Sequence, residues 1–153
     1  MGSDDPKHLI NRAHQLFVNV AETHKLQLEW HDQAPVELAA HLRKQPGLDW
    51  DLLLNLQNVD EIGVQHEFFY VEWFPANDPK KEAEFVSTVD GLIAGDVRLR
   101  CRFGRANLEP YVVDFQREID GRWSTFYRYR NGLHFGRAKS ILILRNGHAD
   151  ASE

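Results

Sequence analysis

The segment DVRLRCRFGR, residues 96–105, sets Arg98, Arg100 and Arg102 at every second position. Side chains of an extended chain alternate between faces, so this spacing lines three guanidinium groups along one side of a strand. Such a row suits carboxylates or phosphates. The segment RWSTFYRYR, residues 122–130, repeats the device with Arg128 and Arg130. These five arginines are the expected anion- or partner-binding set. A second set has the residue types of acid–base chemistry. His66, Tyr70, Glu72 and Asp114 would line the concave side of a curved sheet, where burial raises a carboxylate pKa toward the range useful for proton transfer. No nucleophile elbow, phosphate loop or paired-carboxylate spacing accompanies either set.

The arginines stand out against the composition of the chain. Residues 1–96 carry 7 Lys and Arg against 17 Asp and Glu, whereas residues 97–147 carry 11 against 4, within a formal net charge of −5. Three explanations follow from such asymmetry: an anionic ligand or nucleic acid, an acidic protein partner, or neutralisation by the protein's own acidic side chains. A nucleic-acid domain is more often basic overall, which weighs against that reading, although Phe126, Tyr127 and Tyr129 beside the arginines offer stacking surfaces. The eight histidines match no ligand spacing, so neither a metal nor a cofactor is expected. Cys101, the single cysteine, excludes an intrachain disulfide and alternates with the arginines, which directs it to the opposite, core-facing side. Trp50, between Asp49 and Asp51, is the tryptophan expected to be exposed, at the centre of an acidic rim.

The elements that position these residues follow from periodicity. Leu9, Ile10, Ala13, Leu16, Phe17, Val20 and Ala21 recur on one helical face, and Asp5 before Pro6 is a start signal. KLQLEW reads as a short strand. Pro35 opens a second expected helix through VELAAHLRK, closed by Pro46 and Gly47, and Asp49 caps a third through LLLNLQ. EIGVQHEFFYVEWF reads as one long strand buried on both faces. Residues 79–94 read as a helix, with a hairpin turning at Asp90-Gly91 as the rival. After Gly95 come four strands, DVRLRCRF, PYVVDFQREI, RWSTFYRYR and KSILILR. The tail GHADASE lacks an apolar anchor and is expected to fray.

The hairpin around Asp120-Gly121 carries a conflict. A two-residue turn there sets Val113 opposite Arg128 and Asp114 opposite Tyr127, mixing apolar and polar faces. A three-residue loop over 120–122 instead pairs Phe115 with Tyr127, Val113 with Tyr129 and Asp114 with Arg128, keeping the faces separate and placing both tyrosines in the core. One residue of slip exchanges the faces, so the face pattern decides for the longer loop. A carboxylate row, Asp114 and Glu118 with Gln116 between them, then lies between two arginine rows.

Helices first and strands after suggest an α+β domain over 1–147, with helices on one face of a curved, mainly antiparallel meander of about five strands and a disordered tail at 148–153. That element order is similar to cystatin-like or NTF2-like cones. No stretch is apolar enough to span a membrane and no secretory start is visible, so a cytoplasmic protein is expected. The functional expectation is a small non-catalytic binding protein of adaptor or immunity type, engaging an acidic protein partner or a second copy of itself. An acid–base enzyme or a nucleic-acid binder is the alternative.

Overall fold

The computed structural model describes residues 5–106 and 108–153. Helix α1, Pro6–Thr23, starts where Asp5 is extended and its carboxylate accepts from the Lys7 amide at 3.1 Å. Proline at the first helical position loses no hydrogen bond, because that amide has no partner inside a helix. The apolar stripe buries Leu9, Ala13, Leu16, Phe17, Val20 and Ala21.

Downstream of α1 the chain departs from expectation. β1, Glu29–Trp30, is followed by β2, Leu38–Leu42, and β3, Leu52–Gln57, where two helices were expected. Leucine and alanine favour helices intrinsically, but here pairing and burial override propensity by amounts larger than the few tenths of a kcal/mol at stake per residue. Leu52, Leu54 and Leu56 alternate along β3 and are each at most 1% exposed, the signature of a strand with one face in the core. The expected long strand is a hairpin: β4, Glu61–His66, turns at Glu67 and Phe68 into β5, Phe69–Trp73. These strands form one sheet in the order β1-β2-β3-β4-β5. α1 lies against β2 and β3.

Helix α2, Pro79–Ala94, excludes the rival hairpin and buries Phe85, Thr88, Val89, Leu92 and Ile93. Gly91 is needed for closeness rather than for a turn. A Cβ there would meet Val97 Cγ2 at 2.5 Å. The four strands read after Gly95 are present: β6, Val97–Phe103; β7, Val112–Ile119; β8, Arg122–Arg130; and β9, Ser140–Leu144. β10, Ala151–Ser152, adds at the outer edge of β9, and the Glu153 amide donates to Ile141 O at 3.2 Å. Backbone pairing, which needs no apolar side chain, holds this terminal segment. The second sheet runs β10-β9-β6-β7-β8. Its buried face carries Val97, Leu99, Cys101, Val113, Phe115 and Leu144.

The strand pairs β1–β2, β2–β3 and β3–β4 of the first sheet and β6–β7, β6–β9, β7–β8 and β9–β10 of the second are antiparallel, so the class is α+β. The chain forms two compact units, one of residues up to His66 with Tyr70–Asp90, the other of Glu67–Phe69 with Gly91–Glu153. No helix among the described residues is long and apolar enough to cross a membrane.

The conflict at Asp120-Gly121 resolves through a bulge. Ile119 pairs with Arg122 across a two-residue turn, and both Asp120, φ 51°, and Gly121, φ 75°, are left-handed, as a type I′ turn requires. Between Phe115 and Gln116 the register then shifts, so that Phe115 faces Tyr127, Asp114 faces Arg128 and Val113 faces Tyr129. The turn therefore has two residues and not the expected three-residue loop that pairs Ile119 with Trp123, and Phe126, as an extra residue on β8, restores the face pattern beyond it.

Candidate functional site

On β6 and β7 the direct cross-strand partners are Arg98 with Gln116, Arg100 with Asp114 and Arg102 with Val112, so the arginine stripe shares one face with Asp114. Asp114 is 2% exposed. Arg128 Nε donates to its Oδ1 at 2.6 Å and Arg128 Nη2 to its Oδ2 at 3.2 Å. Arg102 Nη2 reaches the same Oδ2 at 3.1 Å, and Arg100 Nη1 stands 4.0 Å from it. Three guanidinium groups therefore converge on a single buried carboxylate. The hydrogen bond to Asp114 raises the Arg128 pKa further.

The remaining members of the row are answered one by one. Arg98 Nε donates to Gln116 Oε1 at 2.8 Å, and Gln116 Nε2 passes the chain on to Thr125 Oγ1 at 3.1 Å. The Arg98 guanidinium also lies 4.4 Å from the centre of the Trp123 ring, with Arg145 at 5.0 Å. Arg100 is held from the other side by Glu153, at 2.9 Å. Glu118 keeps its place in the row on β7, opposite Trp123, and is exposed.

β8 exposes residues on both faces along most of its length. One face presents Arg128 and Arg130. The other presents Phe126 and Tyr127, each 41% exposed, followed by half-buried Tyr129. This corrects the expectation that both tyrosines belong to the core: β8 is the edge strand, and among the described residues no strand of its sheet lies beyond it. The bulge also turns Phe126 away from the arginine face, toward Phe115 at 6.3 Å and beneath the Arg117 guanidinium at 4.3 Å. Beyond β8, Leu133 and Phe135 are 90% and 89% exposed. Sequence reasoning marked the arginines and missed these two, although a loop holding both large apolar residues between Asn131-Gly132 and Gly136 was a visible signal.

The acid–base set is not brought together. His66 lies on β4 in the alternation that buries Ile62 and Val64, and its ring meets the edge of Trp50 at 5.5 Å. Burial lowers its pKa to about 4, partly offset by the charge of Asp51. Trp50 is half-buried there rather than exposed. Tyr70 belongs to the opposite face, where its hydroxyl accepts from Gln57 Nε2 at 2.6 Å and donates to Glu72 at 3.2 Å. Burial, reinforced by Glu72, pushes the phenol up to about 12. Gly63 makes room for this hydroxyl, since a Cβ at that position would lie 2.9 Å from it. His66, Tyr70 and Glu72 belong to the first unit and Asp114 to the second. Cys101 lies on the buried side as expected, fully buried, and burial raises its pKa to about 12.

Among protein-family models, curated proteins and solved structures, none matches this chain.

Proposed function

We propose that the protein is a non-catalytic binding module whose second sheet engages an acidic protein partner through β8 and the arginines around it. The observation that carries this reading is the exposure of β8 on both faces, arginine on one and aromatic on the other. Large exposed aromatics beside arginines form the residue combination enriched where proteins bind one another. The stripe of Arg98, Arg100 and Arg102 supplies the positive field behind that edge. Its side chains are engaged by Asp114, Gln116 and Glu153, and Arg128 is likewise held by Asp114, so the contacts with a partner fall to Arg122 and Arg130.

An acid–base enzyme is less well supported, because His66 and Tyr70 belong to opposite faces of their sheet and Tyr70 is engaged by Gln57 and Glu72. The test is a fluorescence-anisotropy titration of labelled polyglutamate and of single-stranded DNA of equal charge, beside the double variant R122E/R130E, which leaves the Asp114 cluster untouched. Polyglutamate binding that the double variant loses is the expected result. Preference for DNA, or no binding to either probe, would overturn the reading.

A further inference from the structure

The two ends of the second sheet differ in how they are closed. At one end the terminal segment, which carries Asp150 and Glu153, adds as β10 antiparallel to β9, with Ala151 opposite Ile143 and Ser152 opposite Leu142. From there Glu153 reaches across to Arg100 at 2.9 Å. The sheet therefore already takes an acidic, extended piece of its own chain at its edge, holding it by backbone pairing and one carboxylate–guanidinium contact. At the other end β8 runs for nine residues without a proline and, among the described residues, with no strand beyond it. Proteins normally blunt an edge of that length with proline, short strands, bulges or inward charges, because unpaired edge amides and carbonyls are a template for another strand; the bulge of β8 lies at Phe126, and the stretch from Tyr127 to Arg130 beyond it pairs regularly with β7.

We infer that β8 takes an acidic, extended segment of a partner protein as an additional strand; this rests on the acidic-partner reading and adds how the partner is held. The side-chain order along β8 sets the ligand pattern. Arg128 and Arg130 share one face and Tyr127 and Tyr129 the other, so a strand laid alongside meets arginines at every second residue and aromatics between them. The matching segment alternates acidic and apolar residues. Main-chain hydrogen bonds supply much of the affinity and the alternation supplies the selectivity. The exposed Leu133 and Phe135, which follow β8 in the chain, extend the apolar half of that surface.

Charge selects this occupant over a second copy of the chain. In antiparallel pairing two copies joined β8 to β8 would bring Arg122 opposite Arg130 when centred on Phe126, or Arg128 opposite Arg130 when centred on Tyr129, and like charges directly across a strand pair are destabilising. The same arginines that prevent self-pairing attract a carboxylate-bearing strand.

The experiment compares a short peptide alternating Glu and Val with the same peptide methylated at every backbone nitrogen, each titrated into the full chain by calorimetry. Methylation removes the amide donors while keeping charge and side chains. The unmodified peptide is expected to bind, and the methylated one to lose roughly tenfold or more in affinity, as the loss of several main-chain hydrogen bonds implies. Equal affinity for both peptides would overturn strand addition and leave the acidic-partner reading standing, whereas binding of neither would overturn both. Sedimentation of the free protein adds a further check, because a dimer that the peptide dissociates would make a second copy the occupant of β8 and overturn the inference.

Discussion

The polar face of the first sheet is closed by neutral and acidic groups in short range of one another, with Gln57, Tyr70 and Glu72 sharing their hydrogen bonds. In the second sheet the corresponding task falls to one carboxylate, Asp114, which holds Arg100, Arg102 and Arg128 together. The first arrangement consumes its polar groups, whereas the second leaves positive charge over and delivers it to an open edge. A sheet that only needed internal pairing would match its arginines with as many carboxylates, and this one does not.

Substitution at the centre of each sheet sharpens that contrast. Asp114→Asn removes the charge that three arginines share, and breaking a buried pair in this way costs about 3–5 kcal/mol. Urea denaturation should show the loss as a lower midpoint, and a drop within 1 kcal/mol, roughly the value of an exposed pair, would mean that the arginines are held mainly by solvent and Trp123.

The first sheet answers to acid instead. His66 has its pKa depressed to about 4 in the folded protein, against the ordinary 6.5 of a histidine, so protons bind preferentially to the unfolded chain between those values. Stability from this residue is complete above pH 6.5 and falls as pH drops toward 4, by on the order of 3 kcal/mol. His66→Leu should remove that dependence from a series of denaturation curves; an unchanged acid limb would place the sensitivity elsewhere.

The closed edge should respond least. Glu153→Gln leaves the backbone pairing of β10 in place and removes one partly exposed ion pair, worth at most about 1 kcal/mol. Its clearer effect is on binding: with Arg100 released, affinity for the acidic peptide should rise slightly, and a fall would mean that Glu153 supports the edge rather than competing for its charge.

What could be read in the sequence divides along the same line. The second sheet was legible because its strands alternate cleanly and are separated by turn residues, although at Asp120-Gly121 the turn dipeptide and not the longer loop was right, and the bulge at Phe126 restores the face pattern. The first sheet was not, because LAAHL and LLLNLQ are built from helix-favouring residues and become strands only through pairing with each other and with EIGVQH. The signal available there was the alternation of Leu52, Leu54 and Leu56, followed by a loop in which Asn58 is left-handed. For the site, residue types identified the arginines but not their consumption by Asp114, since a shared buried carboxylate depends on register. The acid–base set failed for a related reason: a turn at Glu67 and Phe68 reverses the chain between His66 and Tyr70, and a single long strand had placed both on one side.

The most direct test of the open edge is amide hydrogen exchange along β8 with and without the alternating Glu–Val peptide. Slower exchange at amides within Tyr127–Arg130 on binding, with the amides of β3 and β4 unchanged, is the result this account predicts. Peptide binding that leaves β8 exchange as it was would contradict it.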